Sequence, residues 1–295
     1  MRRALAEELC SIAEIDNRLV FITGDLGFGV FDEFGQRFPD RYFNVGIAEA
    51  GAIGFAAGLA SKGFVPVVYS IASFLNSRAY EQIRFFSAVN EFRIILIGAG
   101  SGFNYGNSGP THHALDDIGL ARMIPGLEVY TPIGPSSLRR SIRLAFTSDT
   151  SSYIPIGKYG EKDLKIKTLT SNSTCGIIAY ASSARMFNEF EDIANYFESR
   201  CDFYFLETFS ELHESPLFEF VKRHENIILV EDQFFRCGIA IEILRMIHAC
   251  GGMDRTFKWF GPAHHFTHEN LSEMGLREFH GYTPKQIIDY LEQMK

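Results

Sequence analysis

Residues 44–69, NVGIAEAGAIGFAAGLASKGFVPVVY, decide the fold. Glu49 opens a run that is almost wholly small and apolar as far as Lys62. Such a run suits a closely packed helix, and Gly63 stands where a helix stop belongs. The next stretch, 64–69, is apolar and rich in valine, which reads as a buried strand. Helix followed at once by strand is half of a parallel β-α-β unit.

The same alternation extends both ways. A helix is expected over 1–17, with Leu5, Leu9, Ile12 and Ala13 at helical spacing, and a strand over 19–23 ends in Gly24-Asp25. Downstream, 77–90 reads as helix and 93–97 as a strand running into a glycine-rich loop. Residues 115–123 then read as helix, 127–131 as extended and 136–147 as helix. Between 153 and 173 the pattern breaks into short pieces rich in Lys, Thr and Ser, expected to be a linker. Alternation then resumes, with strands over 176–180, 203–206 and 227–231 and helices over 184–200, 214–224, 240–249 and 281–293. The expectation is an α/β protein of two doubly wound, mostly parallel-sheet domains, 1–160 and 172–295, joined by a linker at 161–171.

Composition narrows the function. The chain has 295 residues, with 28 Lys+Arg against 36 Asp+Glu and a net charge of −8. A pI near 5.6 argues against nucleic acid or anionic lipid as partner. Nothing approaches the roughly 18 consecutive apolar residues of a membrane helix. The opening MRRALAEELC carries acids on an amphipathic pattern, so a signal peptide is not expected. Cys10, Cys175, Cys201, Cys237 and Cys250 are scattered, odd in number and free of CxxC spacing. This fits buried thiols in a reducing cytosol rather than a disulfide framework or a zinc site.

Four segments of the first domain are candidates for chemistry. Glu49 is either a first-turn acid favoured by the helix dipole or a sheltered carboxyl that shares a proton with a ligand. The loop GAGSGFNYGNSGPTHH at 98–113 follows a strand, where open α/β sheets bind ligands. Its glycines admit backbone to a ligand, and Asn104, Asn107, His112 and His113 offer polar contacts. No GK[ST] follows, so it is not a P-loop. In SFLNSR at 73–78, read as a strand-to-helix connection, Phe74 is either core or a stacking surface, and Arg78 is a candidate for an anionic group. Asp25, in GDLG at 24–27, is either a turn residue or a pocket residue. No metal site is expected at His264, His265 and His268, and the absence of GxSxG disfavours a serine hydrolase.

Taken together, GDLG (24–27), NVGIAEA (44–50), SFLNSRAYEQIR (73–84) and GPTHHALDDI (109–118) resemble, in order and spacing, the pyrimidine-binding domain of the transketolase family. VEDQFFRCG (230–238) resembles the family's C-terminal domain, so the similarity covers nearly the whole chain. The resemblance implies thiamine diphosphate as cofactor and transfer of a two-carbon ketol unit from a ketose to an aldehyde. Glu49 would hydrogen-bond the aminopyrimidine, Phe74 would stack on it, and Ile47, Asp25 and Leu26 would line its pocket. His112 would hold substrate oxygens and move protons, with His113 and Arg78 on the same wall.

The family's GDG motif, with Asn some 25–30 residues on, holds Mg²⁺ and the diphosphate. Here Gly24-Asp25-Leu26 lacks the second glycine. The resemblance therefore implies a split transketolase, whose N-terminal subunit would supply the metal and diphosphate contacts in an α₂β₂ assembly. Ser108, Gly100 and Lys158 stand where the family carries Asp, His and Arg, which points to an acceptor other than a pentose phosphate, nucleotide-linked or unphosphorylated. Asn107 lies on the same wall. The alternatives are a 2-oxoacid dehydrogenase beta subunit, a deoxyxylulose phosphate synthase-like decarboxylating enzyme, and a non-catalytic assembly subunit.

Overall fold

The structure, a computed structural model, describes residues 1–158, 162–164, 173–188, 191–209, 212, 216–252 and 255–294. Of the linker expected at 161–171, only 162–164 fall among them, and the first residues of the helix expected at 214–224 lie outside.

The chain begins with α1 (Arg2–Ile15), β1 (Leu19–Thr23), α2 (Asp32–Arg37), β2 (Tyr42–Asn44), α3 (Glu49–Ala60), β3 (Val65–Ile71), α4 (Ala72–Arg78) and α5 (Tyr80–Ile83). After a π-helical turn, Arg84–Val89, come β4 (Ile95–Ala99), α6 (Asp117–Arg122), β5 (Glu128–Val129), α7 (Pro135–Thr147) and β6 (Ser152–Ile156). All six strands are parallel, in the order β2-β1-β3-β4-β6-β5. Helices cover both faces, which is why β1 and β4 are apolar along their length rather than alternating. Val20, Ile22, Val68 and Leu96 pack with Ala52, Ile53 and Ala56 of α3 on one face. Leu19, Phe21, Val67 and Ile95 pack with α1 and α7 on the other.

Two expectations need correction. Residues 153–156, expected to open the linker, belong to β6 inside the sheet. Pro155 disguised it, because proline cannot donate to a ladder. The proline is tolerated since β5 pairs only with Ser152 and Tyr153, leaving the rest of β6 open on that side. Residues 73–78, expected to be a connection, are helical and continue directly from β3.

The second half contains β7 (Cys175–Tyr180), α8 (Ala181–Arg185), α9 (Glu191–Glu198), β8 (Asp202–Leu206), α10 (Pro216–Arg223), β9 (Asn226–Val230), α11 (Ala240–Ala249), β10 (Thr256–Phe260), α12 (Glu273–Phe279) and α13 (Pro284–Gln293). Its four strands, β10-β9-β7-β8, are also parallel. β10 and α12 escaped the sequence pattern, since β10 alternates only weakly and α12 is short. One apolar core runs through Tyr153 into Ile178 and Tyr180, so the two halves share buried surface. Among the described residues no helix is long and apolar enough to cross a membrane.

Candidate functional site

The chain leaves β1 towards β2 on one side, while β3 continues towards β4 on the other. In an open α/β sheet this reversal opens a crevice at the carboxyl ends of the strands. Asp25 after β1, Glu49 after β2, Phe74 after β3 and the loop after β4 all reach that edge.

Glu49 is the first residue of α3, where the helix dipole favours an acid, yet its side chain is only 8% exposed. Ser70, near the end of β3, donates from Oγ to Oε1 at 3.3 Å, and Arg78 donates from Nη1 to Oε2 at 3.2 Å. Arg78 lies one helical turn beyond Phe74, so its guanidinium reaches back over the ring, with Cζ 4.2 Å from the centroid. The arginine expected on a substrate wall is thus paired with the carboxylate, although its side chain remains 51% exposed.

His112 meets Phe74 edge to face, with ring centroids 4.8 Å apart, and its Nδ1 lies 3.1 Å from Thr111 Oγ1. Burial lowers the imidazole's pKa; the Ser108 backbone opposes the shift and the Arg78 charge adds to it. Ser73 Oγ donates to Thr111 O at 2.9 Å and ties this loop to α4. Carboxylate, aromatic and neutral imidazole therefore converge, as expected for Glu49, Phe74 and His112.

Other expected residues fall differently. Asp25 is exposed and accepts a 3.4 Å hydrogen bond from Asn44 Nδ2; Leu26 is half-buried on the α1-side core; Ile47 is 78% exposed. His113 is buried, its Nε2 donates to Gly106 O at 3.2 Å, and its Nδ1 has no partner. It supports the loop from behind and does not form a wall. Gly100 is buried too: at φ +85° it lies beneath the Tyr105 ring, and a Cβ there would collide with that ring. Asn107 and Ser108 are exposed on the loop's turn.

Sequence reasoning missed Tyr105. Its ring lies 6.0 Å from the His112 ring and 5.4 Å from Lys158 Nζ, while the Lys158 backbone N–H donates to Asn104 Oδ1 at 2.7 Å. The available signal was an aromatic residue within a loop otherwise built of glycine and polar groups.

Behind the site, Asp117 of α6 accepts from Tyr153 Oη at 2.5 Å and from Gln233 Nε2 at 2.8 Å. Burial pushes Asp117 up to about 6 and Glu231 up to about 7. Glu231 accepts from Tyr180 Oη, the Ile239 N–H and Trp259 Nε1, so it and Trp259 are joined structurally. Among the described residues no three His, Cys, Asp or Glu side chains converge as a metal site.

Residues 1–158 match the family model for the transketolase pyrimidine-binding domain. One of the subunits of the apulose-4-phosphate transketolase of Actinobacillus succinogenes is 41% identical over 121 residues, 41% of this chain and 39% of that protein. The 1-deoxy-D-xylulose-5-phosphate synthase of Oleidesulfovibrio alaskensis is 39% identical over 143 residues, 48% of this chain and 22% of that protein. The chain thus matches less than half the length of each of these curated relatives. Among solved structures, a split-gene transketolase described as an inactive beta4 tetramer superposes with a TM-score of 0.82 at 20% identity. That superposition covers 99% of this chain and 96% of the other, and it shows a shared fold.

Proposed function

Since the chain belongs to the transketolase pyrimidine-binding-domain family, we propose that it is one half of a split, thiamine diphosphate-dependent transketolase that moves a two-carbon ketol unit from a ketose to an aldehyde sugar. The same proposal includes the domain division at 1–160 and 172–295, a cytoplasmic setting, and an α₂β₂ assembly with an N-terminal subunit.

One observation carries it: a flat, nitrogen-rich cation already lies on Phe74 and bonds to Glu49. Arg78's guanidinium is a planar group that gives one N–H to the carboxylate while lying over the ring. An aminopyrimidine is such a group, so these residues fit the coenzyme, and Arg78's exposure leaves it free to swing aside.

When bound here, thiamine diphosphate would supply the carbon nucleophile that ketol transfer requires. Glu49, buried at the head of α3, would offer its carboxyl to the pyrimidine nitrogen. Phe74 would give that ring a flat surface to stack on. His112, held neutral by burial, accepts a proton from, or donates one to, a substrate hydroxyl at its Nε2, since Nδ1 faces Thr111. Tyr105 offers an apolar face to the sugar. Ser108 and Lys158, where the family carries Asp and Arg, support an acceptor that is nucleotide-linked or unphosphorylated.

The test is ketol transfer by this chain reconstituted with its N-terminal partner, thiamine diphosphate and Mg²⁺. Pyruvate turnover with release of carbon dioxide would instead mark a decarboxylating enzyme.

A further inference from the structure

Among the described residues, the loop that bears His112 touches the second half of the chain at five places. At Gly102, with φ +63°, a Cβ would lie 2.6 Å from Asp232 Cβ and 2.7 Å from Ser182 Oγ, so only glycine permits the approach. The Phe103 ring stacks on His280 at 5.4 Å and 12°. A Cβ on Gly106 would lie 2.7 Å from Leu271 O and 3.0 Å from the Ser272 carbonyl carbon. At the loop's far end, Gln233 Nε2 donates to Ala114 O at 3.0 Å and the Phe234 N–H donates to Leu115 O at 2.8 Å.

The groups on the other side of these contacts are themselves fixed. Asp232 accepts from Arg277 Nη2 at 2.5 Å, Arg277 Nε at 3.0 Å, Ser182 Oγ at 2.6 Å and Tyr282 Oη at 3.0 Å. His280 Nδ1 accepts from the Ala263 N–H at 3.2 Å, which leaves Nε2–H to donate to Thr267 Oγ1 at 2.7 Å. Burial, then the nearby His265 and His113, push His280 down to about 4, so this arrangement holds at neutral pH. The buried Asp232 carboxylate, with both oxygens accepting, is a rigid abutment. His112's own ring contacts, by contrast, are with Phe74 and Tyr105 of the first half.

We infer that the second half of the chain is the frame that places His112: Asp232, Gln233 and His280 are positioning residues that hold the 100–115 loop in register with Glu49 and Phe74. The inference rests on the role given to His112 in the proposed function. Its test reads the loop itself, so the two can fail separately.

Two variants of the full-length chain loosen the contact from opposite sides. Gly106→Ala drives a methyl against Leu271 O without left-handed backbone strain, and Gln233→Leu removes the bond to Ala114 O. Hydrogen–deuterium exchange of peptides covering 100–115 is expected to quicken about tenfold or more in both, while those covering β1 and β3 stay within about twofold of wild type. Histidine ring NMR should show the His112 pKa rising towards its ordinary value as burial is lost. Unchanged loop exchange overturns the inference, and so does an equal rise in β1 and β3, which marks general loss of stability. Faster loop exchange with His112 titrating as in wild type also overturns it, because the loop would then be held without the imidazole being placed.

Discussion

Arg78 and Glu49 form an ion pair, Nη1 to Oε2 at 3.2 Å, in which one partner is half exposed and the other is buried. The pair neutralises a carboxylate that would otherwise sit desolvated at the head of an apolar helix. It also lays a planar cation across Phe74, where the proposed function requires a heterocycle.

Glu49→Gln keeps the shape of the site and removes the exchangeable carboxyl. Turnover of the reconstituted complex should fall by at least about 100-fold, the range of general acid–base catalysis, with assembly by light scattering unchanged. Surviving turnover rejects the role given to Glu49.

Arg78→Met leaves Glu49 without its counter-charge. Thermal unfolding should show a loss of about 1–2 kcal/mol, well under the full penalty for a buried pair because the arginine is half solvated. In the double variant with Glu49→Gln most of that loss should vanish, giving a coupling of about 1 kcal/mol. Additive effects would show that the pair carries no energy of its own.

The chain alone, given thiamine diphosphate and Mg²⁺, should show no ketol transfer; addition of the partner should restore it. Ribose 5-phosphate should then be a poor acceptor, and a ranking that places it first would remove the inference drawn from Ser108 and Lys158.

Glu231 gives a signed pH dependence. Burial holds its carboxyl up at about 7, so the folded chain keeps a proton that the unfolded chain releases near its ordinary value of 4.5. The unfolded state binds fewer protons in that window, so this group lowers stability as pH rises from about 4.5 to 7. Glu231→Gln lacks the titration. It should be less stable than wild type at pH 5, because an NH2 replaces one of the two oxygens that accept from Tyr180, Ile239 and Trp259, and the gap should narrow by on the order of 2 kcal/mol by pH 8. Urea midpoints at the two pH values check this; a constant gap contradicts it.

The apolar run after Glu49 and the valine-rich strand behind it were legible because burial on both faces of a parallel sheet demands continuous apolar sequence. The grouping of Glu49, Phe74 and His112 was implied by the family resemblance, and the strand β2 that carries the chain to Glu49 emerged only in the fold. β6 was illegible because Pro155 and its polar flanks imitate a linker, and only the shortness of β5 makes that proline harmless.

By itself, then, the sequence determined the parallel α/β class and which loops face the crevice, because periodicity and loop position are local and survive without knowledge of packing. Tertiary structure alone decided that Arg78 turns inward onto Glu49, that Tyr105 covers Gly100, that His113 lies behind the loop, and that Asp232, Gln233 and His280 brace it. Each of those relations joins side chains whose approach depends on rotamer and on close packing between elements, and spacing along the chain carries neither.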